Sequence, residues 1–367
     1  MVQLLLRDVR GWGWRATLVL VGVALLWTPL WASRKSKEQI NQPHPPDLLL
    51  EGGRKLVWER VFDSEYEVKP KRSFWNKLVD VIAGKPDFRM LVRPYSIATD
   101  SHGRIIVTDP GAAGVHIFDF TQQKYKFIER KEKGKDPMLM PQCVALDAQD
   151  NIYVTDSDSG KIFVFEPSGK YQRAIGSIQG GEGYFKRPTG IAVDSAAQRI
   201  YVTDTLRDQV FVLDMQGSVL QKIGKRGDGQ GEFNYPTELR LDGEELIVVD
   251  AMNFRLQVFD RSGTFRYTIG KLGSSTGAVF RPKAVGIDSE GDVYVVDGMW
   301  SVVQAFNRQG ELLYYFGGKG TQPGEFQLPA GLFIDHDDRI FVVDSFNRRI
   351  QVFHFYGLKK SSTGGMQ

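Results

Sequence analysis

Pro188-Thr-Gly-Ile-Ala-Val-Asp194, Arg199-Ile-Tyr-Val-Thr-Asp204, Gln209-Val-Phe-Val-Leu-Asp214 and Val219-Leu-Gln-Lys-Ile-Gly224 follow one another with only short turns between them. Each run is rich in β-branched and aromatic residues and is bounded by Gly, Asp, Ser and Asn, the pattern of consecutive antiparallel strands. None has a 3.6-residue period or ordinary helix length. The grammar recurs along the chain. Six apolar runs end in Val, one further residue and Asp, giving Asp109, Asp156, Asp204, Asp250, Asp297 and Asp344 at intervals of 47, 48, 46, 47 and 47 residues. A fixed period in this range marks one supersecondary unit that buries its apolar faces only against its neighbours. Four strands per unit and six units predict an all-β, six-bladed propeller around a central channel. A sandwich of two sheets does not copy one strand quartet six times.

The last copy provides only three strands, ending in Ile350-Gln-Val-Phe-His-Phe355. An open edge there would invite aggregation. Lys55-Leu-Val-Trp-Glu-Arg-Val-Phe62, which precedes the first copy, alternates like a strand and is expected to complete the last blade. Phe74, Trp75, Leu78, Val79 and Ile82 fall at the spacing of one short amphipathic helix. The expected organisation is an anchor or signal segment over 1–32, a linker over 33–53, the closing strand over 54–62, a linker with the short helix over 63–92, the propeller over 93–358, and a flexible tail over 359–367.

The Ile-Tyr-Val-Thr-Asp segments, Asp250-Ala-Met-Asn-Phe-Arg-Leu-Gln-Val-Phe259 and Asp344-Ser-Phe-Asn-Arg-Arg-Ile-Gln-Val-Phe353 resemble the NHL repeat, whose family fold is a six-bladed propeller. Copies one, two, three and five keep the strands but lose the Asn-Arg pair. With the closing strand, the helix and the apolar N-terminus, the chain is similar to bacterial envelope proteins of this type. The resemblance implies a fold and a general binding role, and it names no ligand.

Composition narrows the choices. The formal charge of +3 does not advertise nucleic acid, and 39 glycines suit a fold with several turns per blade. Cys143 is the only cysteine, so no disulfide forms within this chain and no cysteine-rich zinc site exists. Ala16 to Ala32 is a 17-residue apolar run with Arg7, Arg10 and Arg15 before it and Arg34, Lys35 and Lys37 after it. It reads as an uncleaved membrane anchor with the propeller on the extracytoplasmic side, or as a signal peptide that leaves a secreted protein. Relatives anchored as lipoproteins carry a cysteine that this chain lacks near Ala32.

One face of a propeller carries both the blade-entry connections and the turns after each second strand. The entries supply Arg93, Tyr95, Gln142, Lys186, Arg187, Glu238, Arg281 and Lys283. The turns supply Arg207, Phe254, Arg255, Met299, Trp300, Phe346 and Arg348. Loops rich in aromatics and arginine have the composition of binding hot spots. Tyr95, Gln142, Lys186, Arg187, Glu238, Arg255, Lys283, Met299, Trp300, Phe346 and Arg348 are therefore the candidate binding residues. Met299 and Trp300 break the pattern of their repeat and are expected to be exposed contacts. The Asn253-Phe254-Arg255 and Asn347-Arg348 groups also fit a second role, tying their turns down between blades.

Two residues after each entry proline stand Ser96, Cys143, Gly190, Glu238, Ala284 and Gly331. Small residues suit close approach of the innermost strands, and Glu238 is the exception, expected to pair with Lys283. The six repeat aspartates invite a calcium reading, but every copy needs a turn whose amides an Asp can cap. No histidine pair has zinc-ligand spacing such as H-E-x-x-H, which argues against an NHL-type lyase with a histidine-held metal. Gly227-Asp-Gly-Gln-Gly231 leads into a strand rather than a helix, so it lacks the helix N-terminus of a phosphate loop. These observations predict no catalytic residue, no metal and no cofactor. The leading expectation is a monomeric, membrane-tethered, non-catalytic scaffold for a protein partner. The competitors are a metal-dependent propeller hydrolase, lactonase or lyase, and RNA binding through Arg93, Lys186, Arg187, Arg281 and Lys283, as in the NHL domains of tripartite-motif proteins.

Overall fold

A computed structural model of the chain describes residues 44–68, 88–129, 137–176, 184–273 and 277–358. The described residues form six antiparallel sheets, five of four strands and one of five, with short 3-10 turns and no α-helix. In the five four-stranded sheets the strands lie in chain order, so each of these blades is a meander. Blade one spans Ser96–Thr99, Ile105–Asp109, Gly114–Asp119 and Lys124–Glu129. The second and third strands of every blade are almost entirely buried, because both their faces meet neighbouring blades. The fourth strand alternates, as in Lys124–Glu129, where Ile128 is buried between exposed Lys126 and Glu129.

The sixth sheet closes the ring. Leu332–Ile334, Arg339–Asp344 and Arg349–Tyr356 are its first three strands, and Lys55–Phe62 pairs antiparallel with the third, setting Phe62 opposite Ile350 and Leu56 opposite Phe355. Leu48–Leu49 then adds a short fifth strand on Lys55 and Leu56. Phe62, with ring centroids 5.1 Å from Phe118 of blade one, also belongs to the seam between the last blade and the first. That seam packs Ile97, Val107 and Phe118 against Phe341, Val343 and Val352. Five comparable apolar seams join the other blade pairs.

Polar stitches reinforce the apolar seams near the axis. The threonine of the Val-Thr-Asp ending donates across to the next blade: Thr108 to the Gln142 carbonyl, and Thr155 to the Thr189 carbonyl at 2.5 Å. In the third blade Thr205 continues the series, donating to the Pro236 carbonyl at 2.7 Å. The innermost strands come very close together here. A Cβ on Gly190 would sit 2.6 Å from the Glu238 Cα, and one on Gly331 would strike the Tyr95 carbonyl oxygen. This is the physical reason for the small residues that follow the entry prolines.

One expectation is set aside. Among the described residues no helix is long and apolar enough to cross a membrane, so the expectation of a membrane-anchored, periplasmic propeller is withdrawn. The apolar run over 1–32 lies outside the described residues, as do the amphipathic helix expected between Lys71 and Gly84 and the tail over 359–367.

Gly190→Ala is expected to cost about 1–3 kcal/mol, because the added methyl meets backbone rather than a side chain that can swing away. Urea unfolding checks it, and a loss below a few tenths of a kcal/mol would contradict such close contact at the axis. Asp344→Ala is expected to cost about 2 kcal/mol or more, since it leaves the mostly buried Arg349 guanidinium and the entry amide of Gln327 without their carboxylate. A melting temperature equal to the parent's would refute that role.

Candidate functional site

Each repeat aspartate is wholly buried, and its carboxylate faces inward to the blade-entry connection rather than outward to an ion. Asp109 accepts hydrogen bonds from the Val92 and Arg93 amides at 2.6 and 2.9 Å, Asp156 from Leu139 and Met140, Asp204 from Lys186 and Arg187, and Asp297 from Phe280 and Arg281. Asp250 and Asp344 each hold one entry amide, of Asn234 and Gln327, both at 2.7 Å. Burial works against the charge of Asp109, but His116 and the two amides outweigh it and hold this carboxyl below its ordinary value. In Asp250 and Asp344 burial dominates over their amide, Asn and Arg partners and the shift is upward.

The NHL-like copies lock these aspartates with a shared set of side chains. Asn253 donates to Asp250 and to the Gly227 carbonyl, and Asn347 donates likewise to Asp344 and Gly320. Arg255 pairs with Asp250 at 2.8 Å and Arg349 with Asp344 at 2.6 Å. Gln257 and Gln351 complete the set. Arg255 is thereby tied to its own blade, also donating to the Gly229 and Glu232 carbonyls. In blade six the anchor is Arg349. Arg348, singled out from the sequence, stands exposed at the left-handed turn position with φ 55°, where blade four has Phe254. His116 occupies the place of these glutamines in blade one, 3.4 Å from Asp109, so it belongs to the lock.

With the loops fixed this way, Arg93, Arg187, Arg281 and Lys283 converge on the mouth of the central channel. They line a cavity of about 440 Å³ together with Tyr95, Gln142 and an apolar edge of Met140, Leu328 and Phe346. Among the described residues none of the four cations makes an ion pair. Burial lowers the Lys283 pKa, and the nearby Arg281 and Arg187 lower it further. The Tyr95 phenol is pushed up, by burial first, with Cys143 and Glu238 adding and Arg187 and Arg281 opposing, so it remains a proton-bearing donor. Burial also drives the Cys143 thiol well above its usual range, which makes it a poor nucleophile.

Below the funnel Arg240 reaches across the channel. Glu238 and Arg240 project from one innermost strand, Pro236–Asp242. Arg240 donates to the carbonyls of Leu332 at 3.1 Å and Val285 at 3.4 Å, and its guanidinium lies 5.0 Å from the Phe333 ring centroid. The expected pair of Glu238 with Lys283 is not formed: the charge that acts on Glu238 is Arg240, whose donors are turned to those carbonyls. Burial therefore wins, and the Glu238 carboxyl is raised to about 8. Arg240 went unnoticed in the sequence although a signal was there. The corresponding residues of the other copies are Ala98, Ala145, Ala192, Gly286 and Phe333, so an arginine is the odd member.

Exposed apolar side chains ring the funnel, with Val92, Leu139, Leu206 and Tyr235 on blades one to four, and they are densest over blades five and six. Phe280, Met299, Trp300, Leu328 and Phe346 of blades five and six, with Met252 of blade four, are all exposed; Phe346 is 58% and Trp300 45% accessible. Lys186 is exposed on the opposite sector beside Arg187. The larger cavity of about 780 Å³ lies on the other face, between blades one and two, where Arg104 is already paired with Asp100 and Lys126 is bound to the Ser168 carbonyl. Asp100, His102 and Asp150 are the described grouping closest to a metal-ligand set. Their geometry is that of a clasp between blades: Ser101 binds Asp150 through amide and hydroxyl, and Ser289 binds Asp338 in the same way between blades five and six, where no histidine takes part.

A six-bladed ring with this strand order is what the comparisons also return. The sequence profile described as 6-bladed beta-propeller matches residues 143–201, 192–254 and 287–364, just over half of the chain. The chain belongs to that 6-bladed beta-propeller family. Among curated proteins nothing matches it. Several solved structures share the propeller at low identity. A structural genomics protein of unknown function from Bacteroides thetaiotaomicron superposes with a TM-score of 0.61 at 13% identity, covering 85% of this chain and 84% of that one. An auxiliary nutrient binding protein from the same organism gives 0.56 at 12%, covering 72% and 69%. A catalytically inactive virginiamycin B lyase from Staphylococcus aureus with quinupristin gives 0.52 at 15%, covering 74% and 86%. At such identities the likeness is one of fold. These propellers range from binding protein to lyase, so the function of this 6-bladed beta-propeller has to be argued from its own funnel and rim.

Glu238 gives the channel a measurable pH signature. Below its ordinary value of 4.5 both folded and unfolded chains hold the proton; between 4.5 and about 8 the folded chain keeps a proton that the unfolded chain has released. Stability therefore falls as pH rises through this window and levels off above it. Urea titrations at pH 5 and pH 9 are expected to show that fall in the parent and a smaller one in Glu238→Gln. Equal falls in both proteins would exclude the buried, proton-bearing carboxyl.

Proposed function

We propose that this protein is a non-catalytic recognition propeller of the NHL type that holds a protein partner on its entry face. The NHL assignment is supported by the matching Asn, Arg and Gln locks of blades four and six. The observation that carries the recognition role is the exposed apolar sector, Met299, Trp300 and Phe346 above all, set beside an unneutralised basic funnel. Exposed aromatic and methionine side chains next to arginine are the makings of an interface core. The groups that could do chemistry are otherwise engaged: the six repeat aspartates bind amides, Cys143 is buried and its thiol raised, and the His102 cluster joins two blades.

RNA binding has some support in the four funnel cations and Lys186. The cations converge on one compact cavity, whereas a polymer backbone is better served by a positive stripe that follows it. The protein reading therefore takes precedence.

A photo-crosslinking residue placed at Trp300 or Phe346 is expected to trap a partner protein. The same residue at His336, exposed on the opposite face, serves as the control. Against the trapped partner, Trp300→Ala combined with Arg187→Glu should weaken binding by about tenfold or more, about 1.4 kcal/mol, without lowering the melting temperature. Equal crosslinking from the two faces, or unchanged affinity in the double variant, would defeat this reading.

A further inference from the structure

The funnel itself is built for a narrower class of ligand than the rim. We propose that the mouth of the central channel is an anion site, in which Arg93, Arg187, Arg281, Lys283 and the Gln142 amide receive a multiply charged carboxylate or phosphate. This rests on the recognition role above and names the chemistry at its centre.

Three independent observations carry it. Four cations, contributed by blades one, three and five, face one cavity, and among the described residues none has a counter-ion. Like charges brought together without compensation destabilise the free protein, and a fold retains such an arrangement most naturally where an anion completes it. Second, the Gln142 side-chain amide lines the same cavity, makes no hydrogen bond among the described residues and is open to the cavity rather than sealed from it, so its donors are free to meet a ligand. Third, the cavity volume of about 440 Å³ falls in the range of small-ligand sites. Guanidinium forks engage the paired oxygens of carboxylate or phosphate side-on, and Lys283 contributes a point charge. The Tyr95 phenol adds a neutral donor, and the Lys283 pKa is lowered by burial first and then by the neighbouring Arg281 and Arg187. Below the site Arg240 crosses the bore to the Leu332 carbonyl and lies against Phe333.

The shared chemistry has two sources, a free small molecule or acidic side chains of the partner. The full chain is titrated calorimetrically at low salt with inorganic phosphate, citrate and a hexaglutamate peptide, and melting temperatures are recorded with each. Binding of at least one probe is expected, with a Kd of about 1 mM or lower and a melting temperature that rises with its concentration. The variant carrying Arg187→Gln and Arg281→Gln should bind about tenfold more weakly or worse, and without ligand it should melt no lower than the parent. Gln142→Leu, which leaves every charge in place, should also weaken binding. Tighter binding of hexaglutamate assigns the site to a partner's acidic segment, and tighter binding of citrate or phosphate assigns it to a free molecule. Absence of binding by all three probes overturns the proposal, as does affinity left unchanged in both variants. Failure here with Trp300 crosslinking intact removes the anion site alone. Anion binding with no crosslinking at the rim removes the protein-recognition role alone.

Discussion

The structure depends on one buried carboxylate repeated six times. The aspartate that ends each second strand is wholly buried and binds amides of the connection entering its own blade. A carboxylate in a dry interior is costly unless its lone pairs are filled. That requirement fixes the path of the entry loop, and the entry loop in turn fixes where the innermost strand begins. Once six entries are placed alike, the apolar faces of consecutive sheets meet. The ring can then close through Lys55–Phe62 without leaving an edge.

Close packing at the axis makes the channel wall sensitive to single residues. Four copies present Ala or Gly where blade four has Arg240 and blade six has Phe333, and those two meet across the bore. Glu238 stands near Arg240 without a hydrogen-bonded cation, so burial and not charge pairing sets its protonation. Function in this architecture follows from departures of this kind, because the repeated residues are already engaged in holding the ring together. The basic funnel and the apolar sector are both made of residues that differ from copy to copy.

Several readings needed the third dimension. Arg255 and Arg348 look equivalent beside their asparagines, but the locking arginine sits five residues after its aspartate, which makes it Arg255 in one blade and Arg349 in the other. The frame comes from counting to the buried carboxylate and not from the Asn-Arg adjacency. Lys283 and Glu238 are close in the repeat register, yet Lys283 faces Arg187 and Arg281 while Glu238 feels Arg240. Register tells which positions share a level; it does not tell which way long side chains turn. Met299, Trp300 and Phe346 were legible, because large apolar residues in a turn of a repeat that does not require them have no core to enter.

The sequence by itself determined the number of blades, the strands within them and the small residues about the axis. All of these follow from periodicity, alternation and turn chemistry, which are local. It also exposed the aspartates as structural, since every copy needs the same turn. Only the tertiary structure decided that four cations from distant parts of the chain meet in one unneutralised pocket, and that Arg240 reaches across the bore beneath them. Those are properties of charges summed over blades up to 190 residues apart in the chain, from Arg93 to Lys283, and no local pattern encodes such a sum.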